Sequence, residues 1–241
     1  MLPLDFFKNR GFTMGLVALM LTFYVMFSFM FTQMLHFQLV REHTALEAAL
    51  RFLPLPFGLM PAAANSDRLV EKFGSNNVVA TGLTLVTIGM LIFTTVTIDT
   101  DYTKLALIFF LLGLGMGLTM APATTLVMDS IPADKAGVGS ATNDTSREIG
   151  GALGIAIGGS VLNEYYRRNL IIPEGLEAQS AILTESFPAA IQIGLEMGNG
   201  ELVKNAQLAF VEGMVASVYV AAAIAFIAAI LVKRFMPTRV I

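Results

Sequence analysis

Apolar residues fall into six long runs separated by polar breaks, at about 11–35, 45–65, 77–98, 105–129, 138–162 and 208–232. Each is about 20 residues or longer, the length at which a helix crosses the hydrocarbon core of a bilayer. The pattern predicts six spanning helices. The first run follows Lys8 and Arg10 and has no small-residue cleavage site. It is longer than the roughly 7–15 residues of a signal-peptide core, so it reads as a retained helix. The second run holds Pro54, Pro56 and Pro61. Prolines leave backbone groups that neighbouring helices must satisfy, so this helix is expected to be bent and packed among others. The third is rich in threonine, whose hydroxyls can bond back to their own helix and need not mark a pore. Residues 163–207 are too polar to span and too long for a tight turn; one or two short interfacial helices are expected there.

Within the fifth run the large side chains nearly disappear. Gly150, Gly154 and Gly158 recur every four residues and share one helix face. In water each glycine costs a helix about 1 kcal/mol against alanine. In a bilayer the same face lets two backbones approach closely. Gly113 and Gly117 form a second such pair in the fourth run. Asp144, Arg147 and Glu148 stand just before the glycine face. Arg147 follows Asp144 by three residues and can pair with it at helical spacing. The cluster reads either as an anchor or gate at the helix end, or as a site that couples proton or substrate movement. Phe23, Tyr24, Met26, Phe27, Met30 and Met34 of the first run could form an adaptable wall for apolar ligands. Ordinary packing against core or lipid explains them as well. His36 and His43 read as loop residues, with His36 also weighed as a proton carrier. Glu212 reads as interfacial.

Composition agrees with a membrane. The chain is 55% hydrophobic and 14% charged, where soluble domains carry about 25% charged residues. A net charge of −3 gives no nucleic-acid footprint, and two histidines with no cysteine leave no metal site to expect. No nucleophile elbow, phosphate-binding loop or zinc-protease motif is present, so an enzyme is not expected. Lysine and arginine are biased to one side: Lys8, Arg10, Arg68, Lys72, Lys135, Lys233, Arg234 and Arg239 face Arg41, Arg51 and Lys104 in short loops. That bias places both termini in the cytoplasm and 163–207 outside.

Residues 131–158 carry a resemblance. The fourth run with Gly113, Gly115 and Gly117, the turn from Ile131 to Gly137, and the stretch from Ser140 through Arg147 to Gly154 resemble the 14-helix drug:proton antiporters of the major facilitator superfamily, in their C-terminal half. The resemblance implies an all-α integral membrane fold of six helices, half of a major facilitator fold, built as a 3+3 inverted repeat. Residues 1–10 would be a cytoplasmic linker, 11–98 the first three-helix unit and 99–241 the second. The first and fourth helices would line the cavity, the second and fifth would meet the other half, and the third and sixth would face lipid. The glycine face of the fifth helix is then expected to point toward the missing N-terminal half. The turn holding Asp67, Arg68, Glu71, Lys72 and Gly74 sits where the superfamily has a gating loop, as a degenerate copy with Glu71 and Lys72 in place of Asp-Arg. The implied function is the C-terminal half of a proton-coupled multidrug efflux transporter in the plasma membrane. It would export amphipathic small molecules, with the proton gradient as energy source and no cofactor. Its partners would be the lipid bilayer, the N-terminal half and the substrate, and the chain is expected to be a fragment or a gene product initiated at an internal methionine. The alternative is a stand-alone six-helix membrane protein that acts by association, with the glycine face as its dimer seam.

Overall fold

Polar residues at the breaks start the helices. Asn9 accepts from the Gly11 and Phe12 amides and opens α1, Arg10–Leu35. Thr44 and Glu47 form a reciprocal capping box that opens α2, Ala45–Arg51. Asp101 accepts from the Thr103 amide at 2.8 Å and opens α6, Tyr102–Asp129. Asn199 does the same for α10, Gly200–Phe235. The remaining helices are α3 (Pro54–Ala64), α4 (Ser66–Phe73), α5 (Ser75–Phe93), α7 (Ala136–Asn169), α8 (Ser180–Glu185) and α9 (Phe187–Glu196). The structure is a computed structural model that describes residues 4–238. Arg239 and the first three residues of the expected linker lie outside the described residues.

Helix α1 is central. It packs along α7 and also touches α6 and α10. Helix α3 packs along α6, α5 lies between α6 and α10, and α10 also lies against α7. At one end of the bundle aromatic rings lock four segments together. Phe29 meets Phe93 of α5 and Phe109 of α6 edge to face, and Phe52 stacks on Phe109 at 5.4 Å.

Among the described residues four helices are long and apolar enough to cross a membrane: Arg10–Val40, Ser75–Phe93, Tyr102–Asp129 and Gly200–Phe235. The runs at 45–65 and 138–162 depart from the expected single apolar spans. The first is broken into α2 and α3. Pro54 and Pro56 have no amide hydrogen to offer Leu50 and Phe52, and the chain substitutes tighter bonds, Leu53 N–H to Leu50 at 3.2 Å and Leu55 N–H to Phe52 at 3.0 Å. The second is one continuous helix, α7, but its glycines, serines and flanking charges keep it less apolar. Helix α7 runs on to Asn169 and α10 begins at Gly200, so the interval outside the long helices is 170–199, shorter than expected, and holds α8 and α9.

His36 is not a loop residue. Helix α1 continues as a π-helical turn over His36–Val40, and the ring is fully buried with Nδ1 at 3.3 Å from Gln33 Nε2. His43 does lie in the connection between this turn and α2. Glu212 is exposed and accepts from Asn169 Nδ2 at 2.7 Å, tying α10 to the end of α7.

Candidate functional site

Glycines decide how closely the helices approach. A Cβ on Gly150 would overlap the Met20 carbonyl, and one on Gly154 the Tyr24 carbonyl. At Gly158 it would strike Ser28 Oγ and come within 3.1 Å of Ser217 Oγ of α10. The glycine face of α7 is therefore closed on α1 within the chain. The expectation that it points to a missing half, or serves as a dimer seam, is corrected: α1 already occupies it. A second seam joins α6 to α3. Gly113 lies against the Leu55 carbonyl, Gly117 against Leu59, and Gly58 returns the contact against Phe110. Gly115, on the other side of α6, faces the Gly82 carbonyl of α5.

With α7 drawn in, one side of α1 stays uncovered. Phe27, Met30 and Phe31 are exposed, and Phe23 and Met34 are half-buried beside them. Phe23 and Phe27 stack at 6.1 Å. The Phe27 ring lies over Gly151 and Phe31 over Gly159, so a second line of α7 glycines seats the rings. Tyr24, expected in the same wall, departs from it: the residue is buried against Gly154, 4% exposed, and its hydroxyl has no partner among the described residues.

Arg147 caps this wall. Its guanidinium sits 5.4 Å from the centre of the Phe23 ring and donates to Thr124 Oγ1 of α6 at 2.9 Å. It thereby ties α7 to both α1 and α6. Asp144 is 3.9 Å away, with 61% of its side chain exposed. Glu148 is exposed. A solvated pair at that distance contributes little. The hydrogen bond from a charged donor and the ring contact are worth more, together about 2 kcal/mol. Arg147→Ala is thus expected to lower the melting temperature of the purified chain clearly, and Asp144→Asn to leave it nearly unchanged. Equal effects would mean that the Asp144 pair, not the bridge to Thr124 and Phe23, holds the arginine.

The turn expected to be a degenerate gating loop forms α4 and its exit. Asp67, Arg68, Glu71 and Lys72 are exposed. Gly74 ends the helix at φ +85°, a backbone conformation that suits glycine. Asp67 and Glu71, with Asp129, line a cleft of about 520 Å³ against the end of α6. The structure does not bring this loop to the Arg147 cluster. Thr124, Gly151, Gly159 and Gly58 carry no signal that singled them out in the sequence. Their roles come from which helix lies opposite.

Long apolar helices drawn together by glycine seams, with one Phe/Met face left open, define a multi-pass helical membrane protein. The chain belongs to the Major Facilitator Superfamily, whose family model matches residues 2–155. It is 28% identical over 236 residues to the multidrug efflux pump LfrA of Mycolicibacterium smegmatis, covering 96% of this chain and 47% of that protein. It is 25% identical to the tetracenomycin C resistance and export protein of Streptomyces glaucescens, covering 95% of this chain and 45% of that one. The crystal structure of a bacterial homolog of the human lysosomal transporter Spinster, inward-facing and unoccupied, shares the fold. Its TM-score is 0.66 at 16% identity, over 98% of this chain and 52% of that one. The chain spans about half the length of these relatives.

Proposed function

We propose that this chain is the C-terminal half of a proton-coupled efflux transporter for amphipathic small molecules. The observation that carries the reading is the uncovered Phe/Met face of α1. This helix is held by α6, α7 and α10, yet its Phe27, Met30 and Phe31 side chains remain exposed. An open apolar face on a central helix fits a cavity wall completed by an N-terminal half. The names of the two pump and export relatives point the same way.

In this reading α2 and α3 together form the second span and α7 the fifth. Two three-helix units then correspond, α1 to α6, α3 to α7 and α5 to α10. The packing supports that pairing, because α1 lies along α7 as α6 lies along α3, and α10 touches α1 as α5 touches α6. Both termini are assigned to the cytoplasm of a plasma-membrane protein on the lysine and arginine bias. Arg147 would then stand at the cytoplasmic mouth, where ties to α1 and α6 can form in one access state and break in the other. Among the described residues no carboxylate is buried. The proton carrier is therefore assigned to the Asp144 and Glu148 rim or to the N-terminal half.

The test is dye efflux from vesicles or cells carrying the chain joined to its N-terminal half. Efflux is expected to stop when a protonophore collapses the gradient. Efflux that persists removes proton coupling; no efflux of any amphipathic dye removes the transport reading.

A further inference from the structure

A groove of about 1000 Å³ runs between α5 and α10, and none of the Phe/Met wall residues lines it. Its position matters first. Both helices are long and apolar enough to cross a membrane, and as the third and sixth spans of the proposed half they are the ones assigned to lipid, which is where this groove is taken to open. It extends from Asn77 to Leu85 along α5 and from Phe226 to Arg234 along α10. Eight residues of helix rise about 12 Å, most of the roughly 15 Å of hydrocarbon in one leaflet. The Thr84 hydroxyl that lines it bonds back to the Ala80 carbonyl at 2.8 Å and leaves the wall apolar.

The charge sits at one end only. Lys233 and Arg234 line the groove where α10 finishes, and among the described residues no carboxylate lines it. The Lys233 ammonium donates to Asn77 Oδ1 and has no ion pair among the described residues. Arg234 has none either and lies 5.8 Å from the Phe235 ring. Lys72 of α4 lies 5.2 Å from the ring of Phe73 and does not itself line the groove. An apolar slot of one-leaflet depth, with cations at its mouth that have no ion pair among the described residues, complements one kind of molecule in a bilayer.

We propose that this groove holds a phospholipid with an anionic headgroup, its phosphate between Lys233 and Arg234 and an acyl chain along Thr84, Leu85 and Phe226. The site rests on the membrane placement of α5 and α10 and not on transport, so it stands or falls separately from the efflux reading. Cations near an anionic lipid surface each strengthen binding by on the order of fivefold.

The chain has no tryptophan, so Ile230→Trp places a single indole on the groove wall at a position that is 51% exposed. In phosphatidylcholine bilayers, brominated phosphatidylglycerol is compared with brominated phosphatidylcholine of the same acyl chains as quencher. The anionic phosphatidylglycerol is expected to be preferred by about 25-fold, fivefold for each of the two cations. Lys233→Gln with Arg234→Gln is expected to bring the preference close to one. Leu107→Trp, exposed at the far end of α6, is the comparison site, with no preference expected in either background. Equal quenching by both lipids at position 230 overturns the proposal. So does a preference that survives the double substitution, or the same preference at position 107.

Discussion

Replacing Gly154 by leucine is expected to destabilise the chain itself, before any question of assembly arises. The Cβ alone would overlap the Tyr24 carbonyl. A carbonyl engaged in its own helix cannot rotate away as a side-chain tip can, so α7 must lift off α1. Overpacking of a close-fitted site costs typically 1–3 kcal/mol, and a backbone obstacle puts this site at about 3 kcal/mol or above. For a chain of this size that corresponds to a fall in melting temperature of about 6–12 °C. Gly137, in the same helix, has nothing within 4 Å of its Cβ position. Gly137→Ala is expected to be neutral or slightly stabilising. Circular dichroism melts of the two variants in detergent make the comparison. If Gly154→Leu melts like the parent, α7 does not lie on α1 as described.

Gly113→Leu is expected to be as costly locally but to fail differently. Its Cβ would overlap the Leu55 carbonyl, so α3 must leave α6. Helix α3 has few other neighbours: it packs chiefly on α6 and touches α4. It is also already separated from α2 at Phe52 and Leu53. Detachment can therefore occur as a unit. Hydrogen exchange should rise across Pro54–Ala64 while α1 and α10 keep their protection. Uniform loss of protection over the whole chain would show that α3 is not a separable piece. Gly117, against the Leu59 carbonyl, should reproduce the pattern.

Much of the architecture was legible in the chain. Apolar runs gave the long helices because a bilayer imposes their length; the caps at Asn9, Thr44 and Asp101 were not singled out in the sequence. Glycine spacing announced the seams. What it could not announce was the partner: a face of Gly150, Gly154 and Gly158 is equally ready for another half, a second copy or α1, and only the tertiary path selects α1. Tyr24 shows the same limit at finer scale. It is three residues from Phe27, about 60° around the helix, and that angle separates a residue sealed beneath Gly154 from one on the open wall. Arg147 was picked out with Asp144, its helical neighbour, whereas its stronger contacts are Thr124 and Phe23, distant in sequence. His36 was misplaced because nothing local signals that α1 winds on through a π turn.

Helix α7 raises a question of thickness. Between Glu148 and Glu164 it offers only residues 149–163 without charge, about 22 Å of helix against roughly 30 Å of hydrocarbon. The Arg168–Glu164 pair at 2.7 Å closes one end and the Asp144–Arg147 pair the other. Where such a helix touches lipid, the bilayer must thin around it at a cost for every ångström of mismatch. Where protein covers it, no thinning is needed. The chain thus carries a gauge of its surroundings: lengthening the acyl chains of the host bilayer should strain the isolated chain at α7 and leave a molecule with that face sealed indifferent.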